Sequence, residues 1–314
     1  MSTRTYTPSG ILYLGLLFLT FSGFAQKQLK VADIAINPLI NGTLITPPET
    51  GAPLAIIIGG SGPTDRNGNQ QVLKNDALKK LAEGLSAQGI ATFRYDKRLV
   101  AMLRKGNIDE ATIKFDDFVT DLVTVINHFK EAGDTTITLI GHSQGALVAT
   151  LAAQQAPVSK LVSLEGAGHT IDAIILEQLA VQMPFLTEEA TQAFEKLKNN
   201  IKIDSVSAPL SSLLRPSLQP FMRSWMLYNP AKELQKLQIP VLIITGTKDL
   251  QVSEEEGDIL AKATPSAKRV HIEKMNHVLR EIEGNALENS KSYYQPSLPL
   301  APQVITAISD FIKN

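Results

Sequence analysis

The stretch Thr138-Leu-Ile-Gly-His-Ser-Gln-Gly-Ala-Leu-Val-Ala149 constrains the fold more than any other part of the chain. A β-branched apolar run ends in G-x-S-x-G and a small-residue helical pattern begins at once, which predicts a strand, a sharp turn and a helix. A serine at such a turn is held in a strained conformation with its hydroxyl pushed out of the sheet, while Gly141 and Gly145 let strand and helix approach closely. Ser143 is therefore the candidate nucleophile. The backbone N–H of Gln144, at the helix start, points at the same space, where the helix dipole favours developing negative charge. The bland alternative is an ordinary turn with a capping serine. The flanking strand and Ala-rich helix weigh against it.

The rest of the chain supplies the sheet that such a turn needs. Leu54–Ile58, Ile90–Arg94, Thr136–Ile140, Lys160–Leu164 and Val241–Thr245 are short, β-branched and almost continuously apolar, as strands buried on both faces are. Helical periodicity over Ala77–Gln88 and Phe115–Ala132 separates them, and a last strand is expected at Arg269–Ile272. This alternation predicts an α/β fold with a doubly wound, mainly parallel sheet, whose post-strand loops share one ligand-binding edge. Before it, Gln28–Ile45 alternates polar and apolar residues around Asn37-Pro38, the pattern of a half-buried antiparallel edge.

Between Thr170 and Pro240 the strand rhythm stops. Helical patterns broken by Pro184, Pro209, Pro216, Pro220 and Pro230 carry many large apolar residues, among them Phe221, Met222, Trp225 and Met226. We read residues 170–235 as a helical cap inserted into a core formed by 26–169 and 236–314. The four apolar residues are its candidate substrate-binding side chains, although any one of them could simply pack the cap onto the core.

Composition narrows the chemistry. The 314 residues include 30 basic and 31 acidic side chains, for a net charge of −1, so no basic excess exists to bind nucleic acid. With no cysteine, disulfides, thiol nucleophiles and thiolate metal sites are excluded together, leaving Ser, His and carboxylates. At the N-terminus, Arg4, the apolar run Ile11 to Phe24 and the small residues of Gly23-Phe24-Ala25 form the pattern of a signal peptide spanning residues 1–25. Export to the periplasm or medium, with no stable membrane insertion after cleavage, is the expectation. An uncleaved anchor is the alternative.

The glycine loop Gly59-Gly-Ser-Gly-Pro-Thr-Asp-Arg-Asn-Gly-Asn69 lacks the Gly-Lys-Ser/Thr of a phosphate loop, the third glycine of a dinucleotide fingerprint and the glycine spacing of a calcium loop. Directly after a strand, it can instead turn backbone N–H groups toward the site, as the second half of an oxyanion hole requires. Ser61 is the expected donor, with Gly62 as the alternative.

A serine nucleophile needs an imidazole base, and the imidazole needs an acid to fix its tautomer. Of five histidines, His142 lies inside the turn, His128 in a helix and His271 in a strand, while His169 opens the cap. His277, in Lys274-Met-Asn-His-Val-Leu279 just past the last strand, is on the correct sheet edge, and His169 is its serious rival. Asp249, in Thr245-Gly-Thr-Lys-Asp249, follows a strand on that same edge and completes the chain order Ser, Asp, His.

On G-G-S-G-P-T-D-R-N-G at 59–68, F-R-Y-D-K-R at 93–98, G-H-S-Q-G at 141–145, R-P-S-L-Q-P-F-M-R-S-W-M at 215–226, G-T-K-D at 246–249, M-N-H-V-L at 275–279 and P-S-L-P-L at 296–300, residues 35–314 resemble the α/β-hydrolase superfamily. Within it the resemblance is to bacterial carboxylesterases with a helical cap, the serine-aminopeptidase-like group. It implies Ser143 as nucleophile, His277 as base, Asp249 as acid, and Ser61 with Gln144 as oxyanion donors. One departure is Leu99-Val100 after F-R-Y-D-K-R, where a glycine is expected. Asp65, Arg66, Arg94 and Asp96 are expected to tie the two loops together.

The expected activity is hydrolysis of short acyl esters through an acyl-enzyme, on a small-molecule ester substrate and with no metal or organic cofactor. An amidase or aminopeptidase on the same triad is the nearest alternative. It would require an acidic group for the substrate amine, whereas Glu177, Glu188, Glu189 and Glu195 look like solvated helix faces. A non-catalytic binding protein on a hydrolase fold is a further alternative, though none of the triad positions is missing.

Overall fold

The computed structural model describes residues 1–2, 28–106 and 108–314, so the expected signal segment, its first two residues apart, lies outside them. In chain order the hairpin comes first: Lys30–Asn37 (β1) and Ile40–Thr46 (β2) pair antiparallel. The Asn37 carboxamide closes their turn by accepting from the N–H groups of Leu39 and Ile40 at 2.8 and 3.0 Å. Alternation of exposed and half-buried residues along β1 follows from its place at the sheet edge, with one face toward water.

The sheet then becomes parallel. Leu54–Ile58 (β3), Ala77–Ala87 (α1), Ala91–Tyr95 (β4), Arg98–Arg104 (α2), Asp116–Glu131 (α3), Ile137–His142 (β5), Gln144–Ala153 (α4) and Lys160–Leu164 (β6) follow one another. After a helical stretch come Val241–Gly246 (β7), Glu254–Ala263, Lys268–Ile272 (β8), Ala286–Ser292 and Pro302–Lys313. Among the described residues the sheet has the order β1-β2-β4-β3-β5-β6-β7-β8, parallel from β4 to β8. Strands β3, β4 and β7 are buried at every position, because helices cover both faces. Along β3, Leu54, Ile56 and Ile58 enter one core with α3 and α4, while Ala55 and Ile57 enter the other with α1 and the C-terminal helix.

Because β4 lies on one side of β3 and β5 on the other, the winding reverses at β3/β5, where a crevice opens beyond the strand ends. Ile58 is in register with Gly141 there, which brings the glycine loop after β3 against the serine turn after β5. The unexpected Leu99-Val100 is explained at the neighbouring strand end. No glycine turn is needed after Arg98, because α2 starts there, burying Val100 and Ala101. Arg98 is anchored to Asp121 by bonds of 2.7 and 2.8 Å.

The helices between β6 and β7 are Ile171–Gln182 (α5), Thr187–Lys198 (α6), Ala208–Leu214 (α7), Gln219–Met226 (α8) and Pro230–Leu234 (α9). The first four enclose a core of their own around Leu179, Phe194, Leu197 and Met226. They attach to the main body through aromatics: the Trp225 ring stacks on Phe115 at 5.5 Å and the Phe221 ring meets Phe118 edge-on at 5.6 Å. Within the stretch expected as cap, α9 differs, packing on α4 and sending Ala231 and Leu234 into the main core. No described helix is long and apolar enough to cross a membrane.

Candidate active site

Ser143 has φ 54° and ψ −124°, a left-sided conformation that an L-residue adopts only when its surroundings force it. Close packing supplies the force. A Cβ on Gly141 would lie 2.3 Å from the Gly145 carbonyl oxygen, and one on Gly145 would lie 2.5 Å from that of Ile58, so only glycine fits either place. The Ser143 N–H donates to the Leu164 carbonyl at 2.9 Å, pinning the turn to β6. Gly60, from the loop after β3, lies so close that its Cβ would stand 3.2 Å from the Ser143 Cβ.

His277 and Asp249 meet at the same edge. Nδ1 of His277 lies 2.6 Å from Oδ2 of Asp249, and the side chains are 5% and 0% exposed. A carboxylate can only accept, so Nδ1 carries the proton and Nε2 is left free. The other Asp249 oxygen accepts from the N–H groups of Gln251 and Val252 at 2.7 and 3.0 Å. Burial opposes the Asp249 charge, but His277 and these N–H groups outweigh it and hold the carboxyl below its ordinary range. Ser143, His277, His142 and Ser61 line one cavity of about 100 Å³.

The loop carrying His277 is stiffened from behind. Lys274 and Leu279 both have φ 62°, and the buried Asn276 spans the bend. Its Oδ1 accepts from Val278 and Arg280, and its Nδ2 donates to Asn289 and Ser292. His142, which by sequence only points away from Ser143, turns out to support the same loop. Its Nε2 donates to the His277 carbonyl at 2.7 Å, and desolvation, helped by His277, lowers its pKa to about 4. Glu165, φ 52° and fully buried at the end of β6, accepts from Gly246 N–H at 3.2 Å. Burial, then the Asp249 charge, push its pKa well above the carboxylate range, which favours the neutral acid beside Asp249. Its Oε1 is buried with no hydrogen-bond partner among the described residues.

On the oxyanion side, Ser61 and Gln144 line two cavities, one of which Ser143 also lines. The Ser61 carbonyl accepts from Thr64 Oγ1 and Gln70 Nε2 at 2.9 and 2.8 Å, and Gly62 takes φ 80° to make the bend. The buried Lys97, directly after β4, donates to the Gly60 carbonyl and to Gln144 Oε1, both at 2.7 Å, and lies 4.3 Å over the Phe118 ring. Burial lowers its pKa to about 7 against a smaller upward pull from Asp121. The expected tie between loops is present: Arg66 clasps Asp96 with Nε and Nη2 at 3.2 and 3.0 Å, while Asp65 only folds its own loop and Arg94 reaches Asn67.

Two further cavities meet at Ser61 and Gln144. One of about 210 Å³ reaches from Ser143 to Ile174, Ile175 and Val252. The other, of about 470 Å³, runs past Leu99, Phe118 and Phe221 to Glu110 and Arg215. Met222 and Trp225 line both, and Phe221 lines the second. Met226 differs from the sequence expectation. It is 8% exposed inside the separate core of the insertion and lines neither. His169 lines the 210 Å³ cavity, with Nδ1 2.7 Å from the buried Glu256, which also accepts from Gly168 and His169 N–H. Glu177, Glu188 and Glu195 are exposed, and Glu189 accepts from Ser207 N–H. No group of three His, Asp or Glu among the described residues is placed to hold a metal ion.

With a parallel sheet, a strained serine at its switch point and a carboxylate-anchored histidine beside it, the chain has the α/β-hydrolase fold of the solved esterases it is similar to. Residues 75–216 match the family model described as serine aminopeptidase, S33. The chain is 25% identical over 270 residues to Esterase EstD of Thermotoga maritima, an alignment covering 83% of this chain and 62% of that protein. It thus spans about three-fifths of the length of the curated relative it matches. Among solved structures, Est1E from Butyrivibrio proteoclasticus is similar with a TM-score of 0.58 and 21% identity, over 90% of this chain and 97% of that one. The esterase domain of a Rhodothermus marinus protein is similar with a TM-score of 0.53 and 15% identity, over 90% and 97%.

Proposed function

We propose that the protein is a carboxylic-ester hydrolase working through Ser143, His277 and Asp249. The observation that carries this reading is the buried 2.6 Å pairing of His277 with Asp249 in a loop whose cavity also holds the strained Ser143. His277 Nε2 takes the Ser143 proton as Oγ attacks the ester carbonyl, and the imidazolium that forms is stabilised by Asp249. Backbone N–H groups of Ser61 and Gln144 receive the oxyanion. Collapse returns the proton to the departing alcohol, and water, deprotonated by His277, then releases the acid from the acyl-enzyme.

The relatives named as esterases support the same chemistry for this chain. So does the apolar lining of the smaller cavity, which stabilises a bound acyl chain by about 0.8 kcal/mol per methylene until the space is filled. With residues 170–235 as its cap, the enzyme acts on short acyl esters. The larger cavity offers Phe118, Phe221 and Trp225 to the other half of the substrate. Est1E has been solved with ferulic acid bound, so a feruloyl ester is the bulky substrate to try first. Among the described residues, the aminopeptidase alternative lacks a free acid for the substrate amine in these cavities. Glu110, which lines the larger one, is held by Arg215 at 2.5 Å and by Ser217 at 2.7 Å.

A series of p-nitrophenyl esters and matched aminoacyl amides, assayed with the purified protein, tests the proposal. Ester kcat/KM exceeding that of the amides by several orders of magnitude is expected. Comparable values with dependence on a free substrate amine favour the aminopeptidase instead.

A further inference from the structure

Lys97 is a basic side chain at 4% exposure, with both of its hydrogen bonds spent on the two segments that supply the proposed oxyanion donors. The first goes to the carbonyl of Gly60, which belongs to the same peptide unit as the Ser61 N–H. A donor on a peptide oxygen fixes the plane of that unit and, by polarising it, makes its N–H a stronger donor. The second goes to the Gln144 side-chain oxygen, on the residue whose backbone N–H is the other donor. Since an ammonium can only donate, the Gln144 amide must turn its oxygen to Lys97, leaving the buried Nε2 without a partner among the described residues.

We propose that Lys97 is a positioning residue of the oxyanion hole, clamping the Gly60–Ser61 peptide and Gln144 to one ammonium so that both backbone donors are aligned and strengthened before substrate binds. This rests on the esterase reading. The location is no accident of surface charge. Lys97 follows β4, the strand adjoining β3, and it crosses beneath the loop after β3 to reach α4. Phe118 lies under the ammonium and Asp121 supplies the nearest compensating charge, itself engaged by Arg98. Among the described residues no bond from Lys97 to a carboxylate competes with the two it makes to the oxyanion segments. A charge removed from water to bond two neutral oxygens costs stability, and alignment of the donors is what that cost secures.

The test compares wild type, Lys97→Met and Gln144→Leu on p-nitrophenyl butyrate. It adds inhibition by a trifluoromethyl ketone, which forms an oxyanion on Ser143, and by the matching methyl ketone, which binds without one. Lys97→Met is expected to lower kcat between about tenfold and a hundredfold, KM changing less than about threefold. Binding of the trifluoromethyl ketone weakens by the same factor, and that of the methyl ketone is unchanged. Gln144→Leu, which keeps the backbone N–H but removes one of the two acceptors, loses several-fold in kcat with a parallel loss of trifluoromethyl ketone binding. It decides the matter should Lys97→Met not fold by circular dichroism. Unchanged kcat in a folded Lys97→Met, equal weakening of both ketones, or an unaltered Gln144→Leu where only that variant folds overturns the assignment. A wild-type protein that neither cleaves the ester nor takes the trifluoromethyl ketone overturns the esterase reading, and this one with it.

Discussion

The imidazole of His142, next to the strained serine in sequence, donates from Nε2 to the backbone carbonyl of His277 at 2.7 Å. The rings stand 4.9 Å apart, so the serine turn and the histidine loop, brought together from distant parts of the chain, are tied at one point. The bond requires a neutral imidazole protonated at Nε2, and desolvation keeps His142 in that form by lowering its pKa to about 4. Between pH 4 and the ordinary histidine pKa of about 6.5, the unfolded chain binds a proton that the native one does not, so stability falls as pH drops through that window and is fully present above it. For this half-buried ring the loss is on the order of 2 kcal/mol. Urea midpoints from pH 7 to 4.5 should show a slope that His142→Asn reduces, and an unaltered slope in that variant contradicts the account.

The two histidine–carboxylate pairs should separate cleanly. His277→Ala is expected to lower ester turnover by a factor on the order of 10⁴ or more, since triad members act as a unit. His169→Ala, at the wall of the 210 Å³ cavity with a half-exposed side chain, should change KM and leave kcat within about threefold. Steady-state kinetics on the two variants decides. The reverse pattern moves the base to His169 and Glu256.

Glu165 as a neutral acid beside Asp249 implies that glutamine can replace it. Glu165→Gln should keep kcat within about threefold and leave the acid limb of the rate profile in place, because no charge is removed. A charged Glu165 would favour protonated His277, so its loss would carry that limb to lower pH. A pH profile of kcat/KM for the variant distinguishes the two.

The loops reached by the nucleophile differ in how tightly they bind it. Gly145→Ala puts a methyl 2.5 Å from the Ile58 oxygen and 2.8 Å from that of Gly59, and should cost on the order of 3 kcal/mol or more of stability. Gly60→Ala meets Ser143 Cβ at 3.2 Å, a contact that small shifts relieve, so it should cost under about 1 kcal/mol yet lower kcat at least about tenfold by displacing nucleophile and donor. Thermal melts beside kinetics check both. Equal effects on stability contradict the packing described.

The order of the amino acids alone carries much of this architecture. Strands buried on both faces are continuous apolar runs, so the parallel sheet and the edge shared by Ser143, Asp249 and His277 can be read locally. The features that stay hidden depend on the third dimension. Lys97 reads as an ordinary basic residue in F-R-Y-D-K-R, and nothing in its neighbours reports that Gly60 and Gln144 cross over it. Glu165 looks like a turn residue until burial and Asp249 are seen together. The helical pattern of α8 shows that Met222 and Met226 share a face, but not where that face passes from cavity wall to the insertion's own core. Met222→Ala should therefore move the preferred acyl length upward, while Met226→Ala should cost about 2–5 kcal/mol of stability and leave the preference unchanged. Chain-length profiles and thermal melts of the two variants check this.

The measurement that bears most directly on the central claim is where a covalent inhibitor goes. An organophosphate such as diethyl p-nitrophenyl phosphate attaches to an activated serine, and peptide mapping by mass spectrometry locates it. One adduct per chain on Ser143, formed in step with the loss of ester hydrolysis and absent in Ser143→Ala, is the expected result. Inactivation with the adduct elsewhere, or ester turnover near the wild-type rate in Ser143→Ala, contradicts it.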